Sequence, residues 1–469
     1  MKISKKAELY TWRELARRAG LPIVDSEGTG FEHLNLPVHY GSPEDAPKSP
    51  ALIVCRSREE DWRRLLTLPL QDLRWIPSTE TIPPGTRLPF NNPTPVLFWG
   101  VNADRSTTPF AEKLPNRSLV FHADILAGSF FMLSRWEETT GQPLDSHFRF
   151  PASASVAGRL GFLDIPVVDQ YALILREWLR SIFPHWKPQR NIPAINLTHD
   201  IDHVYQYSSP LSFVRAVTVS LLSKQPLSGV KREFRSLWTQ WFAPSKGEKY
   251  RAIYELANLS TRHGFTSRFY FMAAHASLKQ QGYDPAMPML QTVYKFLLEE
   301  GHEIGFHPGY TTFLAPSVLE SEKKRLEQAF GTQITGGRQH FLRFKVPDTW
   351  RDWQQTGMQY DSTLGYADRE GFRCGTCHPY RPFDLENDRE MQLLEIPLIV
   401  MDTTLIEYRK LTLAQSHDRI LELARACVEV EGMFTLLWHN VTMVGKHAAW
   451  GNMYANILPE LKDIISNIR

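Results

Sequence analysis

The sequence predicts an α/β protein of two units, and three observations carry that expectation. At 469 residues the chain is longer than one ordinary core accommodates, so two domains are expected. Beyond residue 190, short apolar stretches alternate with segments of helical periodicity, which implies βαβ units and a parallel sheet or barrel. Carboxylates and imidazoles gather just after several of those apolar stretches, where a parallel α/β sheet places its chemistry.

Residues 1–190 are expected to form an N-terminal α/β domain. Glu8–Arg18 reads as a short helix, and Pro50–Cys55 and Pro95–Val101 as buried strands flanked by turn residues. Phe121–Glu138 carries apolar residues at helical spacing and reads as a mostly buried helix. A charged cluster follows, Arg135, Glu137 and Glu138, then Asp145, His147 and Arg149. A structural ion-pair network at the helix end is expected there, with a second binding site as the alternative. Tyr171–Phe183 reads as the helix that closes the domain.

Residues 191–469 are expected to form the second unit. Strands are predicted over 194–198, 268–273, 303–307, 338–344, 393–400 and 433–438. Helices are predicted over 249–263, 286–300, 316–329, 347–356, 410–430 and 452–467. An insertion at 211–250 interrupts the alternation. It holds Arg215, Lys224, Lys231, Arg232, Arg235, Lys246 and Lys249 against Glu233 and Glu248, with Trp238, Trp241 and Phe242 interleaved. A helical hairpin packed on the barrel by its tryptophans is one reading. The other is a basic amphipathic surface that makes peripheral contact with a membrane or an anionic substrate.

Composition narrows the function classes. The 42% hydrophobic and 22% charged residues are those of a soluble globular protein. Lys and Arg number 53 and Asp and Glu 51, so no global field draws the chain to nucleic acid. The four cysteines do not make a disulfide framework and suit a reducing compartment. The N-terminus shows no signal-peptide pattern, and no run approaches the ~20 apolar residues of a spanning helix, so a cytoplasmic enzyme is expected.

The densest chemistry lies in Ile195–His203, where an apolar entry leads to His199, Asp200, Asp202 and His203. Hard oxygen ligands beside imidazole suit a divalent metal, with one carboxylate spared as a base. The alternative is a polar turn whose Asp caps the next helix. Further groups stand at later strand ends: His307 with Tyr310 and Thr311, Arg338 to Arg343 with His340 between them, Asp361, and His439. Repetition of His and Asp at one end of several strands favours a site over isolated structural residues. Cys374-Gly-Thr-Cys377-His378 has metal-like spacing, but a structural zinc needs four ligands and no second pair exists, so packing cysteines in a substrate loop are expected. No phosphate-cradling loop and no nucleophile elbow is present.

At these residues the chain resembles a known family. Thr198-His199-Asp200-Ile201-Asp202 resembles the first motif of the polysaccharide deacetylases (carbohydrate esterase family 4), in its Asp-x-Asp variant. Gly301–His307 resembles their second motif, Arg338–Phe344 stands where their third falls, and Leu436-Leu437-Trp438-His439 resembles their final histidine motif. The first unit, with Phe130-Phe131-Met132-Leu133-Ser134-Arg135-Trp136-Glu137-Glu138, resembles an uncharacterised domain that precedes such deacetylase domains in some bacterial proteins.

The resemblance implies a distorted (β/α) barrel with a divalent metal, usually zinc. It implies Asp200 as general base, Asp202 and His307 as metal ligands, His439 as general acid, and Arg343 as the residue that orients the base. Tyr310, Arg338 and Asp361 would face the substrate. The family's second motif usually carries another His four positions after the first, and here that position is Thr311. His340 is expected to supply the third ligand, with His203 next in order and Thr311 suited only to a harder metal. The expected activity is removal of an N-acyl group, acetyl above all, from an amino sugar or glycan. The rivals are amide hydrolysis on a non-sugar substrate and a catalytically inactive saccharide-binding barrel.

Overall fold

The structure is a computed structural model. It describes residues 1–469 except 24–27, 48–49, 105–106, 208–209, 223–225, 275–281 and 467–469. Lys224 of the basic insertion and the last residue of the helix expected over 452–467 lie outside the described residues.

The N-terminal part is built on a four-stranded sheet in the order Val38–Gly41, Leu52–Cys55, Leu119–Phe121, Ala111–Lys113. The first three strands run parallel and the last antiparallel. The stretch expected as a strand over 95–101 is a strand only at Thr94–Val96, in a separate antiparallel pair with Arg74–Ile76, and adds a single antiparallel bridge from Trp99 to Ala123. Helix Lys5–Ala19 starts on Ser4, whose hydroxyl accepts from the Ala7 amide, and stops at Gly20, whose φ of 91° requires glycine. Helix Ile125–Leu133 is buried along its whole length, as its lack of a polar face dictates.

The second part is one parallel sheet of eight strands. They are β1 (Ala194–Ile201), β2 (Ser267–Phe271), β3 (Glu303–Phe306), β4 (Gly336–Gly337), β5 (Tyr360–Asp361), β6 (Leu394–Glu395), β7 (Val400–Met401) and β8 (Met433–Leu437). Their order across the sheet is β6-β5-β4-β3-β2-β1-β8-β7, and every pairing is parallel. The edge strands β6 and β7 are joined by only Ile396–Ile399. A flat sheet of this width would hold its edges about 34 Å apart. The connecting chain spans at most about 18 Å. The sheet therefore curls into a barrel, and 396–399 bridges the seam: Ile396 donates to Asp361 on one side and Ile399 to Thr435 on the other.

Two expected strands change shape. The stretch 338–344 is a turn that follows the two-residue strand β4, with a single 3₁₀ turn at His340–Leu342. The stretch 393–400 is the end of one edge strand, the seam and the start of the other. Gly336 and Gly337 form β4. A Cβ on Gly336 would sit 1.9 Å from the Tyr360 ring, and one on Gly337 the same distance from the Phe306 carbonyl oxygen. Side chains are excluded there because the Tyr360 ring and the β3 backbone already occupy the space.

The two parts share one apolar core. Phe383 packs 5.2 Å from the rings of both Tyr10 and Phe130. Beside it, the buried Arg18 guanidinium donates to Asp169 (2.9 Å), and Asp169 also accepts from the Thr376 hydroxyl and the Cys377 amide. His378 donates to the Val430 carbonyl. The Cys374–His378 motif thus packs against the N-terminal helices rather than in a substrate loop. Asp169, Cys377 and His378 lie close enough for a metal, but hydrogen bonds from Arg18, Thr376 and the Cys377 amide already occupy both oxygens of the Asp169 carboxylate. Arg135, Glu137 and Glu138 are likewise structural: Arg135 bridges both glutamates, and Arg373 of the second part donates to Glu138.

Glu14 is a test of this interface. Burial pushes its carboxyl up, but Arg17 and Arg18 outweigh burial and hold the pKa at about 2. A depressed carboxylate contributes its stability in full above the ordinary value of about 4.3 and loses it as pH falls towards 2. Glu14→Ala should destabilise the protein by about 3 kcal/mol at neutral pH, since it leaves Arg18 buried with one partner fewer. Chemical denaturation should show that deficit shrinking as the pH drops from 4.5 to 2.

Candidate active site

The strand ends of the barrel deliver Asp200, Asp202, His307, His340 and His439 into one cavity of about 160 Å³. Each lies within three residues of the C-terminal end of a strand. Along β1 the side chains alternate. Thr198 and Asp200 face the interior, where the Arg338 guanidinium donates to both (3.0 and 2.9 Å). His199 points the other way, packs on Phe269 and donates to the Trp438 carbonyl. Burial lowers its pKa to about 4, so it is a neutral packing residue.

Arg338 fixes two parts of the cavity at once. Its side chain is fully buried, tied to Asp200, Thr198, the Ser362 carbonyl and the Ser362 hydroxyl. Its backbone carbonyl accepts from His307 Nδ1 (2.8 Å), which turns Nε2 toward Asp202 Oδ1, 3.1 Å away. His340 Nε2 is 3.7 Å from the same oxygen. One ligand atom from each of Asp202, His307 and His340 falls within a 4.8 Å cluster. Asp202 Oδ1 and His340 Nδ1 are buried without a hydrogen-bond partner. A buried carboxylate oxygen without a hydrogen bond, facing the His307 and His340 imidazoles at 3.1 and 3.7 Å, fits a cation: carboxylate oxygen and imidazole nitrogen are the zinc donor set, and a ring N–H held by a carbonyl, as in His307, is how a ligating histidine is oriented.

The electrostatics agree with that geometry. Burial would raise the Asp202 carboxyl, but His340, His307 and His439 outweigh it and hold Asp202 well below the usual range. Burial lowers His340 to about 4, leaving a neutral imidazole suited to ligation. His439 behaves oppositely. Its Nδ1 is 2.6 Å from Asp402 Oδ1, and its amide donates to Asp402 Oδ2. Burial alone would lower His439, but Asp402, then Asp202 and Asp200, raise it to about 10. His439 Nε2 is 3.8 Å from Asp202 Oδ2, so a charged imidazolium faces the cluster.

Several expected site residues stand elsewhere. Arg338, not Arg343, is the cation on Asp200, and its burial removes it from the substrate face. Arg343 donates to the Tyr310 and His147 carbonyls and lies 4.0 Å over the Tyr310 ring, away from the base. Tyr310 does not line the cavity; its hydroxyl pairs with His147 at the rim. Asp361 is fully buried beside Thr363 and its register partner Glu395, and burial raises it to about 6. It cannot reach a substrate. His203 is half-buried beside Lys249, outside the ligand cluster found among the described residues, and Thr311 is exposed.

Two residues that support the site, Asp402 behind His439 and Arg149 at the cavity, were not anticipated in these roles. Asp402 follows an apolar run, Leu398–Met401, just as Asp200 follows one, and that parallel was the available signal. Arg149 comes from the N-terminal part. It was visible only as a member of a charged cluster, but the structure splits that cluster in two. Asp145, His147 and Arg149 reach the barrel mouth, where Arg149 donates to the Phe341 carbonyl (3.1 Å) and the Tyr408 hydroxyl (2.9 Å). Phe341 and Leu342 both have left-handed backbones, with φ of 61° and 53°, in the turn that carries His340. Arg149 is one of the contacts that hold that turn.

Residues 77–184 match a family of unknown function, DUF7033. No curated protein matches the chain. Among solved structures, the chain is similar to a candidate polysaccharide deacetylase from Mycobacterium smegmatis, at 16% identity and a TM-score of 0.38, over 59% of this chain and 86% of that one. It is also similar to a pseudoenzyme of carbohydrate esterase family 4 from Bacillus anthracis, at 9% identity and a TM-score of 0.29, over 58% and 62% of the two chains. A candidate glycoside hydrolase/deacetylase from Parabacteroides distasonis matches at 11% identity and a TM-score of 0.35, over 58% and 67%.

Asp402→Asn should bring His439 down from about 10 toward the ordinary value near 6.5, read by histidine NMR titration of metal-free protein. A histidine raised by a partner contributes stability in full below that ordinary value and loses it as pH climbs through about 10. The variant should therefore lose most stability at pH 6 and least at pH 10.

Proposed function

We propose that the chain is a metal-dependent hydrolase that removes an N-acyl group, most simply acetyl, from an amino sugar or glycan. One observation carries this reading: a three-residue ligand cluster, a carboxylate held by arginine and a histidine held by aspartate converge on one cavity. Asp202, His307 and His340 would hold the metal, with zinc the choice that one oxygen and two nitrogens suit. Bound there, such an ion supplies Lewis acidity toward an amide carbonyl and lowers the pKa of water.

The remaining roles belong to the chain's own side chains. Asp200 is the general base: Arg338 holds one carboxylate oxygen at 2.9 Å and fixes the orientation in which the other takes a proton. His439 is the general acid: Asp402 keeps it protonated, so a proton is available for the departing amine nitrogen, which cannot leave as an anion. The cavity is smaller than the roughly 300–1,000 Å³ of sites that enclose a whole ligand. It suits an acyl group and its amide, with the sugar ring at the mouth beside the partly exposed rings of Phe341 and Tyr408.

The exposed Thr311 motivates the inactive saccharide-binding barrel as the second reading, because it withholds the histidine usual at that position. Metal analysis separates the two. A wild-type protein that binds no zinc and deacetylates no chitin-type oligosaccharide would replace the hydrolase with the binding module.

Asp200→Asn should cut turnover of an N-acetylated oligosaccharide at least about 100-fold while zinc content stays at the wild-type level. Zinc titration should show His340→Ala sharply weakened and His203→Ala unchanged; the reverse would move the third ligand to His203. Arg149→Ala, which releases the Phe341 carbonyl, should weaken zinc binding about tenfold without unfolding the protein, the size of effect expected when a contact that positions a ligand is lost.

A further inference from the structure

The insertion folds as two helices, Pro210–Leu221 and Pro226–Phe242, packed against each other. Its interior pairs an aromatic contact, Phe213 on Phe234 at 5.3 Å, with a buried carboxylate. Glu233 is buried between the helices, where the Tyr207 hydroxyl (2.6 Å) and the Ser220 hydroxyl (3.2 Å) donate to its carboxylate. Of the 21 large hydrophobic side chains exposed among the described residues, nine lie between Val214 and Phe242. Trp238 and Trp241 are 66% and 69% exposed, and no other described tryptophan is in that set. Leu227, Phe234, Trp238 and Trp241 recur at helical spacing and form one stripe. The tryptophans do not pack on the barrel.

The charge around this stripe has one sign. Glu233 is the sole acid from residue 208 to 247, and it is inside. The exposed charged side chains described over the same stretch are Arg215, Lys231, Arg235 and Lys246. We propose that this hairpin docks the protein onto an anionic lipid bilayer, with Trp238 and Trp241 in the headgroup layer and the basic side chains against the lipid phosphates and carboxylates.

Three arguments select this occupant. Aromatic side chains with a polar ring atom settle at the lipid–water boundary, and lysine and arginine beside them draw to anionic headgroups. A second copy meeting the same face across a two-fold axis would set cation against cation. A nucleic acid or a purely acidic protein surface would match the charge but leave the leucines and tryptophans in water. The hairpin also leaves the barrel at the end of β1, within eight residues of Asp202. Its base is pinned there by paired hydrogen bonds between Tyr207 and Gln240, both 2.9 Å. Docking therefore sets the barrel end that bears the cavity beside the lipid surface.

The test uses the full chain and vesicles, and needs no turnover, so it stands whether or not the protein is a hydrolase. Wild-type protein is floated with vesicles of phosphatidylcholine alone and with vesicles containing 30 mole per cent phosphatidylglycerol, a fraction of the order at which anionic headgroups set the surface potential. Binding to the anionic vesicles, at least about tenfold stronger than to the neutral ones and weakened by 0.5 M salt, is expected. Trp238→Ser with Trp241→Ser should lower it about tenfold, and Lys231→Glu with Arg235→Glu should remove the preference for anionic lipid. Both pairs lie on the surface, and unchanged thermal melting would show the fold intact. The proposal is overturned if wild-type protein ignores anionic vesicles at low salt, or if both variants bind like wild type. It is equally overturned if the tryptophan variant merely converts a dimer to a monomer in sedimentation, which would make the face a copy-to-copy contact.

Discussion

The barrel depends on one buried cation. The Arg338 guanidinium lies inside the curled sheet, where an unpaired charge would cost several kcal/mol. Four hydrogen bonds tie it to β1 and to the turn after β5, and its face lies 5.1 Å from the Tyr270 ring on β2. Planarity matters here, because a lysine in the same place would offer a point charge to four separate acceptors. The same residue's carbonyl sets the tautomer of His307. The base and one ligand are therefore aligned through a single residue, and neither can shift without disturbing the other. Gly336 and Gly337 immediately before it are part of the same constraint, since side chains there would push β4 off its neighbours.

How far the site could be read from sequence follows from this architecture. Asp200, Asp202, His307 and His439 were legible because each follows an apolar run long enough to be recognised as a strand. Arg338 was visible, but its role was given to Arg343. A strand drawn through 338–344 treats both arginines as strand-end residues, whereas the strand ends at Gly337 and only Arg338 enters the interior. Two glycines carry almost no strand propensity, so the true end was hidden in composition. Asp402 was hidden differently. The apolar run 393–400 looks like one strand, and only closure of the sheet shows that it crosses the seam and that a second strand ends at Met401. The pairing that raises His439 thus rests on a long-range fact, the meeting of the two sheet edges.

The N-terminal part takes on meaning from the same site. Its charged cluster divides by depth. Arg135 and Glu137 are wholly buried, and Glu138 beside them is linked to Arg373, which suits a permanent interface rather than a solvated face. Arg149, fourteen residues after Arg135, ends at the cavity and holds the carbonyl of Phe341 in a turn with two successive left-handed non-glycine residues. Such backbone costs on the order of 1–3 kcal/mol per residue and persists only where surrounding contacts over-determine it. The first part therefore acts on the turn that presents His340, without donating a ligand itself.

The hairpin at 210–242 is where local and global rules disagree most openly. Along the rest of the chain, apolar faces meet other faces and carboxylates that are buried have partners from a packed core. In the hairpin the helix periodicity is intact, yet the stripe it defines faces outward and the carboxylate faces inward. A sequence that keeps an amphipathic pattern but inverts it against water is locally inconsistent unless the solvent on that side is not water. The polar seam around Glu233 then has a function of its own. It holds the two helices together by hydrogen bonds whose strength does not depend on hiding the apolar stripe, so the stripe is available to another phase while the hairpin stays folded in water.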